Sequence, residues 1–374
     1  MVINGDVISP LFFCVFLQTE IFNIRTHIMA DNEIRNEISQ LGKYNLIHHL
    51  TEEVKSANES TVAGIGDDAA VTRSGSQLTV TATKLFVEHI HFDLSYFPLK
   101  HLGFKCVTVA LTDVLAMNAV PSQITLCLAV SNRFSIEAVE EFMTGVRACC
   151  HYYHIDIAGL DITSSATGLA VSVTAIGHVE ARRLTARSGA AENELICATG
   201  DFGAAYTGLL LLQREKQIFE ATQVSQPHFE GYEYLLERQL KPEPRTDIIE
   251  LLRQQKVIPT AMTAVTEGIA SALFLLCQRD SLGCTIYENK IPLAQLTFDT
   301  LRQLKIVATT VALNGGEDYE LLFTIRQADY NKIKGCSEIA VIGHIDRKDS
   351  GRNLITNDNK QIELKAQGFI EKEK

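Results

Sequence analysis

Two adjacent carboxylates follow a pair of glycines in residues 64–71, which read GIGDDAAV. Glycines let a main chain approach a ligand closely, whereas Asp67 and Asp68 would repel a bare phosphate unless a divalent cation stood between them. The pattern therefore favours metal-bridged nucleotide chemistry. The alternative is a solvated turn, because Gly and Asp are common in turns whatever the function. Residues 314–320, NGGEDYE, form a second glycine-acid loop to which both interpretations apply.

A third carboxylate falls within a predicted helix. Apolar residues recur with a helical period over 100–117, and Asp113 has apolar neighbours three and four positions away on both sides. A buried, unpaired carboxylate is costly. Asp113 is therefore expected to bind either a metal ion or a partner within the core.

The composition narrows the class of protein. A chain of 374 residues, 46% hydrophobic and 21% charged, can form about two domains with a sizeable core. The net charge of -11 comes without the basic stripe that a nucleic-acid surface needs. Nine cysteines without CxxC spacing predict reduced, buried thiols in a cytoplasmic protein. No apolar run reaches the roughly 20 residues of a membrane span.

The periodicity predicts a mixed α/β fold with two domains, 29–180 and 181–374. Residues 1–28 are interpreted as an upstream extension of the reading frame or a disordered tail, since Met29 begins an ordinary polar start. Strands are predicted at 78–82, 86–92, 123–130, 155–162, 168–176, 194–198, 283–288, 319–325 and 339–345. Helices are predicted at 100–117, after an N-cap at Ser135, and at 204–213, 232–240, 267–277 and 296–304. Residues 214–227 are expected to form an exposed connection.

Five stretches together resemble thiamine-monophosphate kinases, within the aminoimidazole-ribonucleotide-synthetase-like superfamily. They are GIGDDAAV at 64–71, VE and HFD at 87–93, TD and AM at 112–117, RSGA at 187–190 and GGEDYELLFT at 315–324. The resemblance runs in order from about Gly42 to Phe369. It implies an N-terminal ATP and Mg²⁺ domain, a C-terminal mixed-sheet α/β domain, and a homodimer paired through the N-terminal sheets. The implied reaction is direct transfer of the γ-phosphoryl group of ATP to thiamine monophosphate.

The resemblance also implies roles for individual residues. The implied Mg²⁺ ligands are Asp67, Asp68, Thr83, Asp113, Asp161 and Glu267, of which Asp67, Asp113 and Asp161 are also catalytic. The implied nucleotide contacts are Gly66, Gly159, Asp161, Arg187 and Thr266, and the implied substrate contacts are His91, Glu317 and Phe369. Each substrate contact has a simpler alternative, namely a strand histidine, a turn carboxylate and a C-terminal packing residue.

Several positions depart from the family pattern. Ala82 and Lys84 stand in the family's Thr-Thr-Asp motif, Leu160 and Ile162 in its Gly-Gly-Asp-Thr motif, and Ala264 and Glu267 in its Asp-Ile-Ser-Asp-Gly motif. His89 replaces a glycine and Met143 a tyrosine. Two functions therefore stay open: an ATP-dependent kinase, or a weakened member that binds nucleotide or a partner protein. Because an ammonium carries about the charge of an aspartate with its Mg²⁺, Lys84 is a candidate substitute for that pair.

Overall fold

The computed structural model describes residues 2–3, 6–7, 42–223 and 228–369. Two short strands, β1 (Val2–Ile3) and β2 (Asp6–Val7), pair antiparallel. The other residues of the extension predicted at 1–28 lie outside the described residues. The first described helix is α1 (Lys43–Thr51).

The first large sheet has six strands in the order β3-β4-β5-β8-β6-β7. They are β3 (Thr61–Ala63), β4 (Ala70–Ser74), β5 (Gln77–Val87), β6 (Val120–Val130), β7 (Asp156–Ser164) and β8 (Leu169–Val179). Only β6 and β7 pair in parallel. The helices α2 (Leu99–Ala116) and α3 (Ile136–Tyr153) cover one face. On β5 the apolar side chains of Leu78, Val80 and Ala82 are buried against this layer. Side chains alternate along a strand, and those on the other face, such as Leu85 and Cys127, are exposed among the described residues, so this face is called the open face.

The second large sheet has seven strands in the order β10-β12-β9-β13-β11-β14-β15. They are β9 (Leu195–Thr199), β10 (Ala261–Val265), β11 (Gly283–Tyr287), β12 (Glu320–Ile325), β13 (Ile339–Asp346), β14 (Arg352–Ile355) and β15 (Gln361–Glu363). Its helices are α4 (Ala204–Thr222), α5 (Glu233–Leu240), α6 (Thr246–Gln254), α7 (Ile269–Gln278), α8 (Gln295–Gln303), α9 (Ala308–Asn314) and α10 (Tyr330–Ile333). Short 3₁₀ turns lie at Glu288–Lys290, Gln327–Asp329 and Lys348–Ser350. The strands form a mixed sheet, since β11 and β14 are parallel and the other pairs antiparallel.

The helix α2 belongs to the cores of both sheets. Most of its length is buried against β5 and β8. Its last turn enters the second core, where Leu115 and Ala116 pack in one cluster with Leu252, Met262 and Leu321. The two halves of the chain are therefore joined by shared apolar packing as well as by the connecting segment.

Several sequence predictions are corrected by the fold. The prediction of an exposed connection at 214–227 is wrong, because α4 continues to Thr222. The stretch is rich in helix-forming residues, and Glu215 is buried. Lys216 forms an ion pair with Glu220, one helical turn further on, at 3.8 Å. Residues 224–227 lie outside the described residues. The strand predicted at 86–92 ends at Val87, since His89 takes a left-handed φ of 66°.

Two further expectations concern cysteines and membranes. The eight described cysteines are free, as predicted, but Cys127 is exposed on the open sheet face and Cys336 is half-buried. No helix in the described part of the chain is long and apolar enough to cross a bilayer. The N-cap predicted at Ser135 is confirmed, because its hydroxyl accepts a hydrogen bond from the Ala138 amide at 3.3 Å.

Close packing of α2 against α3 gives a stability prediction. A Cβ atom at Gly145 would lie 1.8 Å from the carbonyl oxygen of Lys100, and one at Gly103 would lie 2.1 Å from that of Phe142. We expect Gly145→Ala to lower the free energy of unfolding by about 2 kcal/mol, because overpacking outweighs the gain in helix propensity. Urea unfolding measures this change. The control is Gly335→Ala, where a Cβ atom meets nothing within 4 Å; equal effects at both positions would contradict the explanation.

Candidate active site

Asp68 is tied to both halves of the molecule. Its carboxylate accepts two hydrogen bonds from the Arg187 guanidinium, from Nε at 2.9 Å and from Nη2 at 2.8 Å. It also accepts one from the hydroxyl of Thr263 on β10, at 3.2 Å. The Asp68 side chain is only 3% exposed. Burial alone would lower the pKa of Arg187, but the Asp68 carboxylate raises it. The result is a buried bidentate ion pair between the first sheet and the segment that leads to the second.

Asp67 is held by main-chain amides rather than by a cation. Its Oδ1 accepts hydrogen bonds from the amides of Asp68, at 3.0 Å, and Arg187, at 3.1 Å. Burial raises the pKa of Asp67, and the neighbouring Asp68 charge adds to this effect. The preceding residue, Gly66, has a φ of 116°, a backbone angle that residues other than glycine rarely adopt. The loop thus presents one carboxylate that has no side-chain cation as partner among the described contacts.

Asp113 is buried on α2, as its position on an apolar stripe predicted. Its Oδ2 forms a salt bridge with the Lys84 Nζ at 2.7 Å. Its Oδ1 is buried without a hydrogen-bond partner among the described residues. Burial raises the pKa of Asp113 to about 6, although Lys84 opposes the shift. For Lys84, burial alone would lower the pKa, but the Asp113 carboxylate raises it, with smaller effects from Asp68 and Glu267. Of the two outcomes predicted for Asp113, the structure places a partner cation beside it.

Glu267 forms hydrogen bonds with the first two residues of α1. Its two oxygens accept hydrogen bonds from the Lys43 ammonium and the Tyr44 hydroxyl, and the Thr266 hydroxyl donates another at 3.2 Å. Burial alone would raise the pKa of Glu267, but Lys43 holds it below its usual range. The Tyr44 ring stacks on Phe369 with centroids 4.8 Å apart. Phe369 therefore lies beside Glu267 and α1.

A cleft of about 530 Å³ opens between the loop after β5, α4, α5 and the second glycine-acid loop. It is lined by the predicted substrate residues His91 and Glu317, together with Asp93, Tyr96, Tyr206 and Gln239. Phe369 is not among the lining residues. The structure therefore brings together two of the three predicted substrate contacts.

Glu317 is fixed in place by its neighbours. Its carboxylate accepts hydrogen bonds from Lys105 Nζ at 3.1 Å and from Gln239 Nε2 at 2.8 Å. Its amide donates to the Thr266 carbonyl at 2.8 Å, and its φ is 62°. Burial alone would raise the pKa of Glu317, but Lys105 lowers it. Sequence reasoning missed Lys105, although a lysine on a largely apolar helix face was an available signal.

Thr83 and Asp161 lie on the open face of the first sheet. Residues opposite each other on neighbouring strands point to the same face of a sheet. Thr83 on β5 is opposite Thr174 on β8, and their hydroxyl groups are hydrogen-bonded at 3.0 Å. Asp161 on the edge strand β7 is opposite the exposed Cys127. Lys84 follows Thr83 and so points to the covered face with Asp113. Within one chain, the structure does not bring Thr83 or Asp161 to Asp113. Gly159 is also on β7, and a Cβ atom added there would lie 3.2 Å from Cγ2 of Thr125.

The resemblance implies Mg²⁺, so the fit of the residues to that ion matters. Within the described ranges, no group of three or more His, Cys, Asp or Glu side chains is arranged to hold a metal ion. Asp68, Asp113 and Glu267 are each paired with a cation of the chain itself. Mg²⁺ is commonly bound by one or two carboxylates and substrate phosphates rather than by an all-protein cage. Asp67 fits that mode of binding.

Comparisons with known proteins identify the family. The protein-family model described as "AIR synthase related protein, N-terminal domain" matches residues 66–179. A thiamine-monophosphate kinase of Buchnera aphidicola subsp. Acyrthosiphon pisum is 30% identical over 321 residues, covering 84% of this chain and 93% of the relative. The chain belongs to the thiamine-monophosphate kinase family. A thiamine-monophosphate kinase of Bacillus subtilis is 29% identical over 338 residues, covering 88% of this chain and 99% of that relative.

A solved structure agrees with this family assignment. AaThiL complexed with AMPPCP and TMP is 25% identical, with a TM-score of 0.74 over 89% of this chain and 99% of that one. The resemblance and the mixed α/β fold predicted from sequence are thereby confirmed. The domain boundaries at 28 and 180 and the roles of individual residues in this thiamine-monophosphate kinase family member remain predictions.

The buried ion pair between Arg187 and Asp68 predicts a large stability effect. We expect Arg187→Met to lower the free energy of unfolding by about 3–5 kcal/mol, because it leaves a buried carboxylate without its cation. Adding Asp68→Asn should recover part of the loss, as chemical denaturation of the single and double variants would measure. The control is Arg253→Met, which breaks a surface pair with Glu250 and should cost about 0–1 kcal/mol. Additive effects of the two site substitutions would contradict the pairing.

His91 gives a prediction on protonation. Burial lowers the pKa of His91 from 6.5, and its Nδ1 accepts a hydrogen bond from the Val87 amide at 3.1 Å. The neutral ring with its proton on Nε2 is therefore favoured. The stability that this group contributes is complete above pH 6.5 and is lost as the pH falls through its folded-state pKa. NMR titration, with His91→Gln for assignment, should give a midpoint below 6.5; a midpoint above 6.5 would contradict this environment.

Proposed function

We propose that this protein transfers the γ-phosphoryl group of ATP to thiamine monophosphate, giving thiamine diphosphate, in the cytoplasm. The observation that carries the proposal is family membership over most of the chain, in a molecule whose interdomain cleft contains His91 and Glu317. The AaThiL complex with AMPPCP and TMP supports the same pair of substrates. Direct phosphoryl transfer needs little covalent help, so positioning and charge stabilisation are the main tasks of the protein.

The acid loop is proposed to receive ATP. Asp67 and phosphate oxygens would hold Mg²⁺, which when bound neutralises phosphate charge. Arg187 uses Nε and Nη2 on Asp68, and its Nη1 makes none of the described hydrogen bonds, so it is available to a phosphate oxygen. Gly66, Gly159 and Thr266 remain predicted nucleotide contacts. The roles of Asp68, Thr83, Asp161 and Glu267 as metal ligands are likewise predictions.

The cleft is proposed to receive thiamine monophosphate. Its aromatic rings suit a flat, cationic thiazolium, since the face of an aromatic ring attracts cations. The neutral His91 offers an Nε2 proton to a hydrogen-bond acceptor. Glu317 accepts hydrogen bonds from Lys105 and Gln239 at 3.1 and 2.8 Å, so its carboxylate lines the cleft in a fixed position. Phe369 packs against Tyr44 and Phe274, which supports its simpler role as a C-terminal packing residue.

A homodimer paired through the first sheets is also proposed. The open face of this sheet carries exposed Leu85 and Cys127. On the edge strand β7, Asp161 points to this face, whereas Leu160 and Ile162, which are 50% and 55% exposed, point to the helix side. Apolar side chains left in water on a sheet face favour association with a second copy through that face. Such pairing would also cover Thr83 and Asp161.

Activity is tested with purified protein, ATP, Mg²⁺ and thiamine monophosphate, scored for thiamine diphosphate. We expect product, and we expect Asp67→Asn to lower kcat/KM by about 100-fold or more, because it removes the carboxylate with the least compensated charge. Glu250→Gln, on the surface of α6, is the matched control and should act like the wild type.

The second candidate function, a weakened member that binds nucleotide without turnover, is favoured by the salt bridge between Lys84 and Asp113. No product from the wild type, under conditions in which an Ala264→Asp, Lys84→Asp, Leu160→Gly variant forms thiamine diphosphate, would establish it and overturn the proposed kinase activity.

The proposed dimer predicts a change of mass in solution. We expect the wild type to run as a dimer in light scattering after size exclusion, and Leu85→Glu to shift it to the monomer because it buries a charge in the interface. Ile136→Glu, a change at an apolar residue 75% exposed on the helical side, is the control. A wild-type monomer, or a dimer that survives Leu85→Glu as well as Ile136→Glu, would contradict pairing through this face.

A further inference from the structure

Lys84 is a charged residue on an otherwise apolar face. Its side chain points to the covered side of β5, the side that carries the buried Val80, Ala82 and Phe86. Burying an ammonium is costly unless it is paired. The pair is present, since Nζ lies 2.7 Å from Asp113 Oδ2 and the two side chains are 26% and 7% exposed. The position of Lys84 is therefore set by an acid and not by apolar packing.

The charges around Lys84 come from the predicted metal ligands. Besides Asp113, the carboxylates of Asp68 and Glu267 act on it electrostatically. Those two are themselves paired with Arg187 and Lys43. Lys84 already pairs with Oδ2 of Asp113, so a divalent cation that used the buried Oδ1, which has no hydrogen-bond partner among the described residues, would be repelled by the nearby ammonium. An ammonium offers charge but no open coordination position.

We propose that Lys84 permanently fills one cation position of the acid cluster, with Asp113 as its counter-ion instead of a metal ligand. The chain then binds about one divalent ion fewer than it would with a carboxylate at position 84. This inference rests on the proposed function in one respect, because it takes the acid cluster to be the place where phosphate charge is neutralised. The remaining divalent ions would enter with ATP, whose phosphates supply the oxygens that the protein lacks.

The test counts protein-bound Mn²⁺ by electron paramagnetic resonance, both without nucleotide and with AMPPCP, because an ion that enters with the nucleotide is seen only in its presence. We expect Asp113→Asn to bind as many Mn²⁺ ions as the wild type. We expect Lys84→Asp to bind about one more, and Mg²⁺ to raise its melting temperature by about 3 °C or more, because two close carboxylates gain a shared cation. The control is Lys332→Asp, which replaces the lysine of a surface ion pair with Asp329 by a second carboxylate and should show neither change.

Two results would overturn the proposal. One is loss of a Mn²⁺ site in Asp113→Asn, which would make Asp113 a metal ligand in the wild type. The other is a folded Lys84→Asp that binds no additional Mn²⁺. If Lys84→Asp folds only with Mg²⁺, that result supports the proposal, and if it does not fold at all, the count in Asp113→Asn decides. Metal counts do not depend on turnover, so absence of thiamine diphosphate would contradict the proposed function and leave this inference standing.

Discussion

A carboxylate removed from water must have a partner, and this requirement organises the centre of the molecule. Asp68 is the main case, because its partners come from both sides of the domain junction. Arg187 reaches it from the connecting segment and Thr263 from β10. The amide of the same Arg187 binds Asp67. The relative placement of the first sheet, the connecting segment and the second sheet is therefore tied to one buried acid.

The same requirement recurs around the cluster with different cations. Lys84 from the first sheet forms an ion pair with Asp113, and Lys43 from α1 forms one with Glu267. In each pair the acid is the more buried partner. The protein thus neutralises these buried carboxylates with cations from its own side chains. A cluster built this way has its charges paired before any ligand arrives, which lowers the reorganisation needed on binding.

The sequence predicted what depends on local pattern. The apolar stripe of α2 predicted both the helix and the burial of Asp113, and the hydroxyl of Ser135 marked the start of α3. The partners of the acids were beyond its reach, because Lys43 and Glu267 are 224 positions apart. The polar run at 214–222 was misread as a connection because exposed helices and loops share polar composition. Alternation along β5 did contain the information that Thr83 and Lys84 point to opposite faces.

The last turn of α2 has a consequence for how the chain folds. Leu115 and Ala116 belong to the core formed with β10, β12 and α6, although the rest of their helix belongs to the first sheet. A chain ending near residue 180 would leave these side chains in water, and the second half alone would have a gap in its core. The two halves are therefore expected to unfold together, in one cooperative transition, instead of behaving as separable modules.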